Sequence, residues 1–405
     1  MTLFSGVSLL LWLLVIASAR VFRGRLFAIF ATVVVGMYTG AALAFAPLPR
    51  GSALWPLFVA LHGTVYLHLF MLSRPAMRPL WYRVLISIPA STFMAGTVLS
   101  LPWGLAARLG FSPWLPWLPY ALAGVGLLQS LTLRWSEVHI AIDDHIVEGI
   151  RRHALHRPNQ AAETPFSLRR SLRIVQISDP HLGPFMSVEK LASICRRAVA
   201  AEPDLIVLTG DFLTMESQGD VEHLRQALAP LQALPGRSFA CFGNHDHEAP
   251  DIVRAALREN GIRLLVDEAI VASTAWGDVE ILGYDFTFRD RAEHLQRVSA
   301  RYPRTPGLLR IALLHDPGAF RHVPAGAADL VLSGHTHGGQ LGLLSIGGSW
   351  TVPRMVDMPD HGLWAKGSDR LYVHRGTGHY GFPLRLGVPA EEGVIHVHFR
   401  RASAT

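Results

Sequence analysis

No acidic residue occurs before Glu137 and no lysine before Lys190 in this chain of 405 residues. An ordinary soluble domain is about one quarter charged. A first third that holds only scattered arginines among Leu, Ala, Val, Phe and Trp is therefore not one. Crossing a bilayer as a helix takes roughly 20 mostly apolar residues, because the hydrocarbon core is about 30 Å thick and a helix rises about 1.5 Å per residue. Five stretches qualify: Leu3 to Ala19, Leu26 to Ala46, Leu54 to Leu72, Val84 to Ala106 and Trp114 to Leu133. Trp55, Trp81, Tyr82, Trp103, Trp114, Trp117 and Trp135 fall near their ends, where amphipathic rings favour the headgroup level. Residues 1–134 are thus expected to form about five transmembrane helices.

Arginine placement gives an expected orientation. The loop after the first stretch carries Arg20, Arg23 and Arg25, and the loop after the third carries Arg74, Arg78 and Arg83. The tail after the fifth carries Arg134, Arg151 and Arg152, whereas Arg50 and Arg108 stand alone in the alternate loops. The positive-inside tendency then places the amino terminus outside and everything after the fifth span in the cytoplasm, as a multi-pass protein of the inner cell membrane. Ala17-Ser18-Ala19 resembles a signal-peptidase site, but no positive segment precedes it, so the first stretch is read as a helix that stays. His62 and His68 have no acidic partner in any span and read as satisfied or interface-facing histidines.

The basic excess of the whole chain sits in this apolar third. Of 37 lysines and arginines nine lie at or before Arg134, leaving 28 against 31 acidic residues. A slightly acidic remainder does not attract a polyanion by bulk charge, and nucleic acid is not expected as a partner. The two cysteines, Cys195 and Cys241, build neither a disulfide framework nor a Cys-x-x-Cys pair.

Residues 135–171 read as a linker or surface excursion: 138–142 alternate like a short strand, and the stretch from His153 to Ser171 is polar with prolines. From Leu172 the chain alternates short apolar runs with polar turns and amphipathic helices. Strands are expected at 172–177, 204–208, 238–242, 262–266, 279–282, 309–314, 330–332, 371–374 and 394–399, and helices at 188–201, 221–234 and 251–260. This is an α/β pattern with mixed pairing in residues 172–405.

Five of these strand ends run into ligand-type residues. They are Ser178-Asp179-Pro180-His181, Gly210-Asp211, Gly243-Asn244-His245-Asp246, His315-Asp316 and Gly334-His335-Thr336-His337. Open α/β sheets bind ligands at the edge formed by the carboxyl ends of their strands. Carboxylates, imidazoles and one amide oxygen gathered there suit a pair of divalent cations about 3.5–4 Å apart, which clamps the attacking and leaving oxygens of a phosphoryl displacement. The mixture favours Mn, Fe or Zn over an all-oxygen Mg site, and the absence of thiolate argues against structural zinc. The glycines at 210, 243 and 334 are expected to permit tight turns.

In this order, SDPHLG, TGD, GNHD, HDP and SGHTHGGQ resemble the calcineurin-like metallophosphoesterase superfamily, in particular its membrane-linked branch of the YkuE and transmembrane-phosphoesterase type. The resemblance covers about residues 172–399. It implies a four-layer α/β/β/α sandwich around two divalent metal ions, here preceded by the transmembrane helices. Carried over motif by motif, Asp179, His181 and His337 would hold the first metal, and Asn244, His315 and His335 the second. Asp211 would bridge them and His245 would be catalytic. Two departures occur: Pro180 lacks a free amide, and the closing Pro-Glu is loosened to Pro389-Ala390-Glu391-Glu392. His379 and Arg385, in the closing segment, are candidates for substrate contact.

The resulting expectation is a membrane-anchored phosphoesterase in which a metal-bridging hydroxide attacks a phosphodiester or pyrophosphate. Asp246 either orients the His245 ring or caps a turn. Five spans suggest a lipid bilayer as partner and a phosphorylated, lipid-linked or nucleotide-lipid substrate; some relatives of this branch cleave a nucleotide-linked acylated glucosamine. The alternatives are a soluble-nucleotide phosphodiesterase, a transporter or sensor regulated by its metal domain, and a catalytically silent binding module. Oligomeric state is not legible in the sequence.

Overall fold

The computed structural model describes residues 2–143, 145–155 and 170–399. Among the described residues, four helices are long and apolar enough to cross a membrane: Leu3–Phe22, Arg25–Phe45, Trp55–Leu72 and Leu80–Leu99. The fifth expected span is corrected. Its helix covers only Leu118–Leu131, 14 residues, or about 21 Å, short of the hydrocarbon thickness. Pro113, Pro116 and Pro119 hold the preceding residues out of the helix, since proline only fits its first turn. The fourth expected span is also redrawn, because the chain breaks at Ser100 and a separate helix follows over Leu101–Arg108. His62 is satisfied within the bundle, with Tyr38 Oη 2.7 Å from Nδ1 and Ser8 Oγ 2.9 Å from Nε2.

Thirteen strands follow among the described residues: β1 (Leu133–Ile142), β2 (Val147–Arg152), β3 (Leu172–Ile177), β4 (Leu205–Leu208), β5 (Ser238–Ala240), β6 (Arg263–Leu264), β7 (Glu268–Ser273), β8 (Asp278–Gly283), β9 (Leu309–Leu313), β10 (Leu330–Ser333), β11 (Gly362–Gly367), β12 (Asp369–Val373) and β13 (Ala390–Phe399). They form a six-stranded sheet in the order β1-β13-β3-β4-β5-β6 and a seven-stranded sheet in the order β2-β11-β12-β10-β9-β8-β7. The central strands read as unbroken apolar runs because both of their faces are buried. Leu205 and Val207 of β4 meet Leu309, Ile311, Leu330 and Leu332 between the sheets. Ile206 and Leu208 turn outward onto the helices Val188–Ala200, Val221–Leu228 and Pro250–Glu259. On the far side, Ala312 and Val331 pack on Leu295 and Val298 of the helix Arg291–Arg301. The result is the expected four-layer order of helices, sheet, sheet and helices.

The linker expected over 135–171 is redrawn where it is described. β1 pairs parallel with β13 over ten residues and β2 pairs antiparallel with β11, so this segment supplies an edge strand to each sheet. Its polarity reflects that edge position, where one side of each strand lacks a neighbour. Residues 156–169 of that expectation lie outside the described residues.

Within each sheet, β3, β4 and β5 run parallel, as do β8, β9 and β10. Their carboxyl ends gather at one edge, and the loops leaving that edge meet the helical bundle. Arg23 donates to Gln218 Oε1 (2.7 Å) and to the Met215 carbonyl (2.6 Å). Arg83 donates to the Pro184 carbonyl (2.6 Å). The backbone N–H groups of Arg385 and Gly387 donate to Ser130 Oγ (3.0 Å) and Gln129 Oε1 (2.8 Å). Both arginine-rich loops between helices therefore touch the α/β part directly.

Candidate metal centre

The five strand-end turns bring all seven expected ligands together. Asp179, His181 and His337 offer ligand atoms within 4.8 Å of one another, and so do Asp211, His315 and His335. One atom joins the groups: Asp211 Oδ2 lies 3.7 Å from His181 Nε2 and 3.3 Å from His315 Nε2. Asn244 Oδ1 lies 3.2 Å from His315 Nε2, which is also 3.2 Å from His335 Nδ1. On the other side His181 Nε2 faces His337 Nε2 at 3.1 Å.

The donor set fits divalent cations. His315 donates Nδ1–H to the Thr209 carbonyl (2.7 Å), which leaves Nε2 as a lone pair aimed at a carboxylate and an amide oxygen. Acceptors facing acceptors in a buried site need positive charge between them. Where protons alone must supply it, Asp211 and Asp179 pull the His315 ring up to about 10 against the opposing effect of burial. Burial likewise opposes charge on Asp211, yet His315 and His181 hold its carboxyl well below the usual carboxylate range.

The backbone is shaped to converge these groups. Asp179, His181, Asp211, His335 and His337 have φ between 46° and 65°, a left-handed conformation that side-chain-bearing residues adopt at a cost. The neighbouring turns hold it in place. Ser178 Oγ donates to Asp179 Oδ2, and the His335 N–H donates to Asp179 Oδ1 (2.9 Å). Gly210 has the positive φ expected of it, 86°. Gly243 and Gly334 serve by close approach instead: a Cβ would lie 2.2 Å from Asp211 Oδ1 in the first case and 1.9 Å from Ser178 Oγ in the second.

His245 stands beside the ligands, its side chain 20% exposed where the ligand imidazoles His181 and His315 are sealed. Its N–H donates to Asp211 Oδ1 (2.9 Å), and its ring stacks on Tyr380 with centroids 4.2 Å apart. Glu248, not Asp246, orients the ring, with Oε1 2.7 Å from Nδ1. Burial opposes charge on this ring, but Glu248 and Asp211 hold it above the ordinary histidine value. Asp246 instead ties two ligand turns together. Its carboxylate accepts from the N–H groups of Asp211 (2.8 Å), Phe212 (2.8 Å) and Gly243 (2.7 Å).

The two candidates for substrate contact part ways. Arg385 is fully buried, and its guanidinium donates to the carbonyls of Gly378 (3.1 Å), His337 (3.2 Å) and Arg375 (2.7 Å) and to His337 Nδ1 (3.1 Å). It braces the ligand from behind, so direct substrate contact is withdrawn for it. His379 lies near the bundle, its ring 4.7 Å from that of Phe185. Sequence reasoning missed Glu248 and Tyr380; the i, i+3 spacing of His245 and Glu248 in a turn was the available signal for the first. A further group, Glu137, His139 and His396, sits apart on β1 and β13.

The calcineurin-like phosphoesterase family matches over residues 172–339. The uncharacterized metallophosphoesterase YkuE of Bacillus subtilis is 31% identical over 223 residues, 53% of this chain and 74% of YkuE. Phosphodiesterase YaeI of Escherichia coli is 29% identical over 230 residues, 56% of this chain and 82% of YaeI. A transmembrane protein with metallophosphoesterase domain from Bos taurus is 32% identical over 244 residues, 55% of this chain and 52% of that protein, so this chain spans about half of its length. The chain belongs to the calcineurin-like metallophosphoesterases, phosphoester hydrolases that work with two divalent cations.

Proposed function

We infer that the protein is a membrane-anchored phosphoesterase that hydrolyses a phosphodiester or pyrophosphate bond in a lipid-linked or nucleotide-lipid substrate. In this reading Asp179, His181 and His337 would hold one cation and Asn244, His315 and His335 the other, with Asp211, which faces both groups, as a shared ligand. Two such cations supply Lewis acidity, acidifying a water and neutralising charge at phosphorus. Asp211 fixes the spacing of the two ligand groups, and Asp246 and Arg385 keep the turns from relaxing away from it. His245, open to the cleft and oriented by Glu248, donates a proton to the leaving oxygen. The acceptor-only convergence around His315 Nε2 carries the hydrolase reading.

The lipid part of the reading rests on placement. The loops bearing His181 and Asp211 continue into Pro184 and Met215, whose carbonyls accept from arginines of the bundle. The two loops that supply these arginines are the basic ones, so the positive-inside tendency favours a cytoplasmic hydrolase, with the shortened helix Leu118–Leu131 returning the chain to that side after the fourth span. The direct test converts Asp211 or His245 to Ala in the full-length protein and assays a chromogenic phosphodiester with manganese. Turnover should fall at least 100-fold, and unaltered turnover disposes of the assignment. A panel of phospholipids, lipid pyrophosphates and nucleotides then identifies which compound is split.

A further inference from the structure

A cavity of about 290 Å³ lies where the bundle meets the hydrolase. Val34, Val65 and Met94 of three membrane-length helices line it on one side, and Phe185 and Phe382 of the hydrolase loops on the other. At its inner end it reaches His181 and Tyr380, which also wall the cleft over the metal ligands. The apolar chamber and the cleft over the ligands therefore share two side chains. A few polar groups stand in the chamber wall. His68 is 94% buried and its Nδ1 has no hydrogen-bond partner, while Lys190 and His379 line the hydrolase side.

We propose that this cavity seats one alkyl chain of a membrane lipid whose phosphoester lies at the metal centre, so that the substrate is taken from the bilayer and not from water. The proposal rests on the phosphoesterase reading above and names how its substrate is held. Part of the chamber wall belongs to helices long enough to span the hydrocarbon, so lipid tails are the apolar partners at hand there. The volume equals about ten water-sized groups, which suits one chain of medium length and not two. An unpartnered buried His68 Nδ1 is costly unless something fills its need, and an ester, amide or hydroxyl near the head of an acyl chain does so. Lys190, whose Nζ donates to the Leu131 carbonyl (3.1 Å), places a positive charge on the side where a phosphate would pass.

The test uses the full-length, manganese-loaded protein in phosphatidylcholine nanodiscs with alkyl p-nitrophenyl phosphates from methyl to decyl. Hydrolysis breaks the bond from phosphorus to the p-nitrophenyl oxygen; water supplies the new oxygen and p-nitrophenolate is read by colour. Each buried methylene is worth up to about fourfold, so kcat/KM should rise at least tenfold from methyl to decyl. Met215→Trp, which fills the chamber from the hydrolase side, should flatten that dependence. Met215→Ala should move the best chain length upward. A second readout needs no turnover: decyl phosphate with a terminal diazirine should label Val65 and Leu69, which line the chamber, and not Leu67 and Phe70 on the exposed face of the same helix. Labelling confined to Leu67 and Phe70, or equal kcat/KM for all chain lengths, overturns the proposal. Labelling of Val65 and Leu69 without hydrolysis of any ester sustains the chain seat and instead overturns the phosphoesterase reading.

Discussion

Asp246→Asn is the most informative single change outside the ligands. The carboxylate accepts three backbone N–H groups, two of them from Asp211 and Gly243 on Oδ2 and one from Phe212 on Oδ1. An amide keeps one oxygen. Placed at the Oδ2 position it retains two bonds, now to a neutral acceptor, and turns its NH2 against the Phe212 N–H. A bond to a charged acceptor contributes about 1.5–3 kcal/mol and a neutral one about 1, and an orphaned buried donor costs about 1–3 kcal/mol. Losing one charged bond and weakening two amounts to about 3–5 kcal/mol before any relaxation. The strain falls on the backbone of Asp211, and a shift of about 1 Å at a reacting centre costs about 100-fold in rate. Burial and the neighbouring Asp211 charge push the Asp246 carboxyl up to about 7, so the comparison belongs at about pH 8.5, where the group is ionised. The expected result is a turnover of a chromogenic phosphodiester reduced about 100-fold, with manganese affinity weakened at least tenfold. Wild-type turnover and metal content in Asp246→Asn would refute the claim that this carboxylate holds the ligand turns in register.

Glu248→Gln should lower kcat about tenfold with two metals still bound, checked by elemental analysis, because partners that only orient an active group typically matter by about 10–100-fold. Arg385→Lys cannot reproduce a fork that reaches five backbone carbonyls and the His337 ring. It should lower turnover at least tenfold and loosen metal binding, and unchanged metal content would argue that the brace is dispensable. Chelation followed by gel filtration should abolish turnover, and manganese should restore it. Glu216 gives a pH signature of stability. Burial pushes its carboxyl up to about 8 although Arg78 and Arg83 pull the other way. Its folded form holds a proton more tightly than its unfolded form, so stability is full below about pH 4.5 and is lost as pH rises through about 8, by at most about 5 kcal/mol. Glu216→Gln should therefore melt higher than wild type at about pH 8.5, with the difference gone at about pH 5.

The gathering of the seven candidate ligands was legible because each follows an apolar run that both sheet faces bury, and no solvated turn needs that residue mixture five times over. The strands at sheet edges were not. β2 carries Glu148, Arg151 and Arg152, and its side chains answer to solvent as much as to β11. The helix Arg291–Arg301 buries only His294, Leu295 and Val298, too thin a stripe to stand out in its sequence. Hydropathy could not separate four full-length spans from a fifth whose prolines shorten it, since it counts residues and not helical turns. Nor could sequence show that Arg385 faces inward or that His68 lacks a partner. Both facts depend on which elements pack against them.

The parallel ladder between β1 and β13 has a practical consequence for anyone wishing to handle the enzyme in water. Strand β1 starts at Leu133, two residues beyond the last apolar helix, and it shields the flank of β13 along ten residues. Cutting the chain near residue 165, where composition suggests a natural seam, would strip both sheets of their outermost members. The bared N–H and C=O rows of β13 and β11 would then be templates for self-association. Anchor and hydrolase are interlocked by shared strands, and solubility has to be sought with the helices kept.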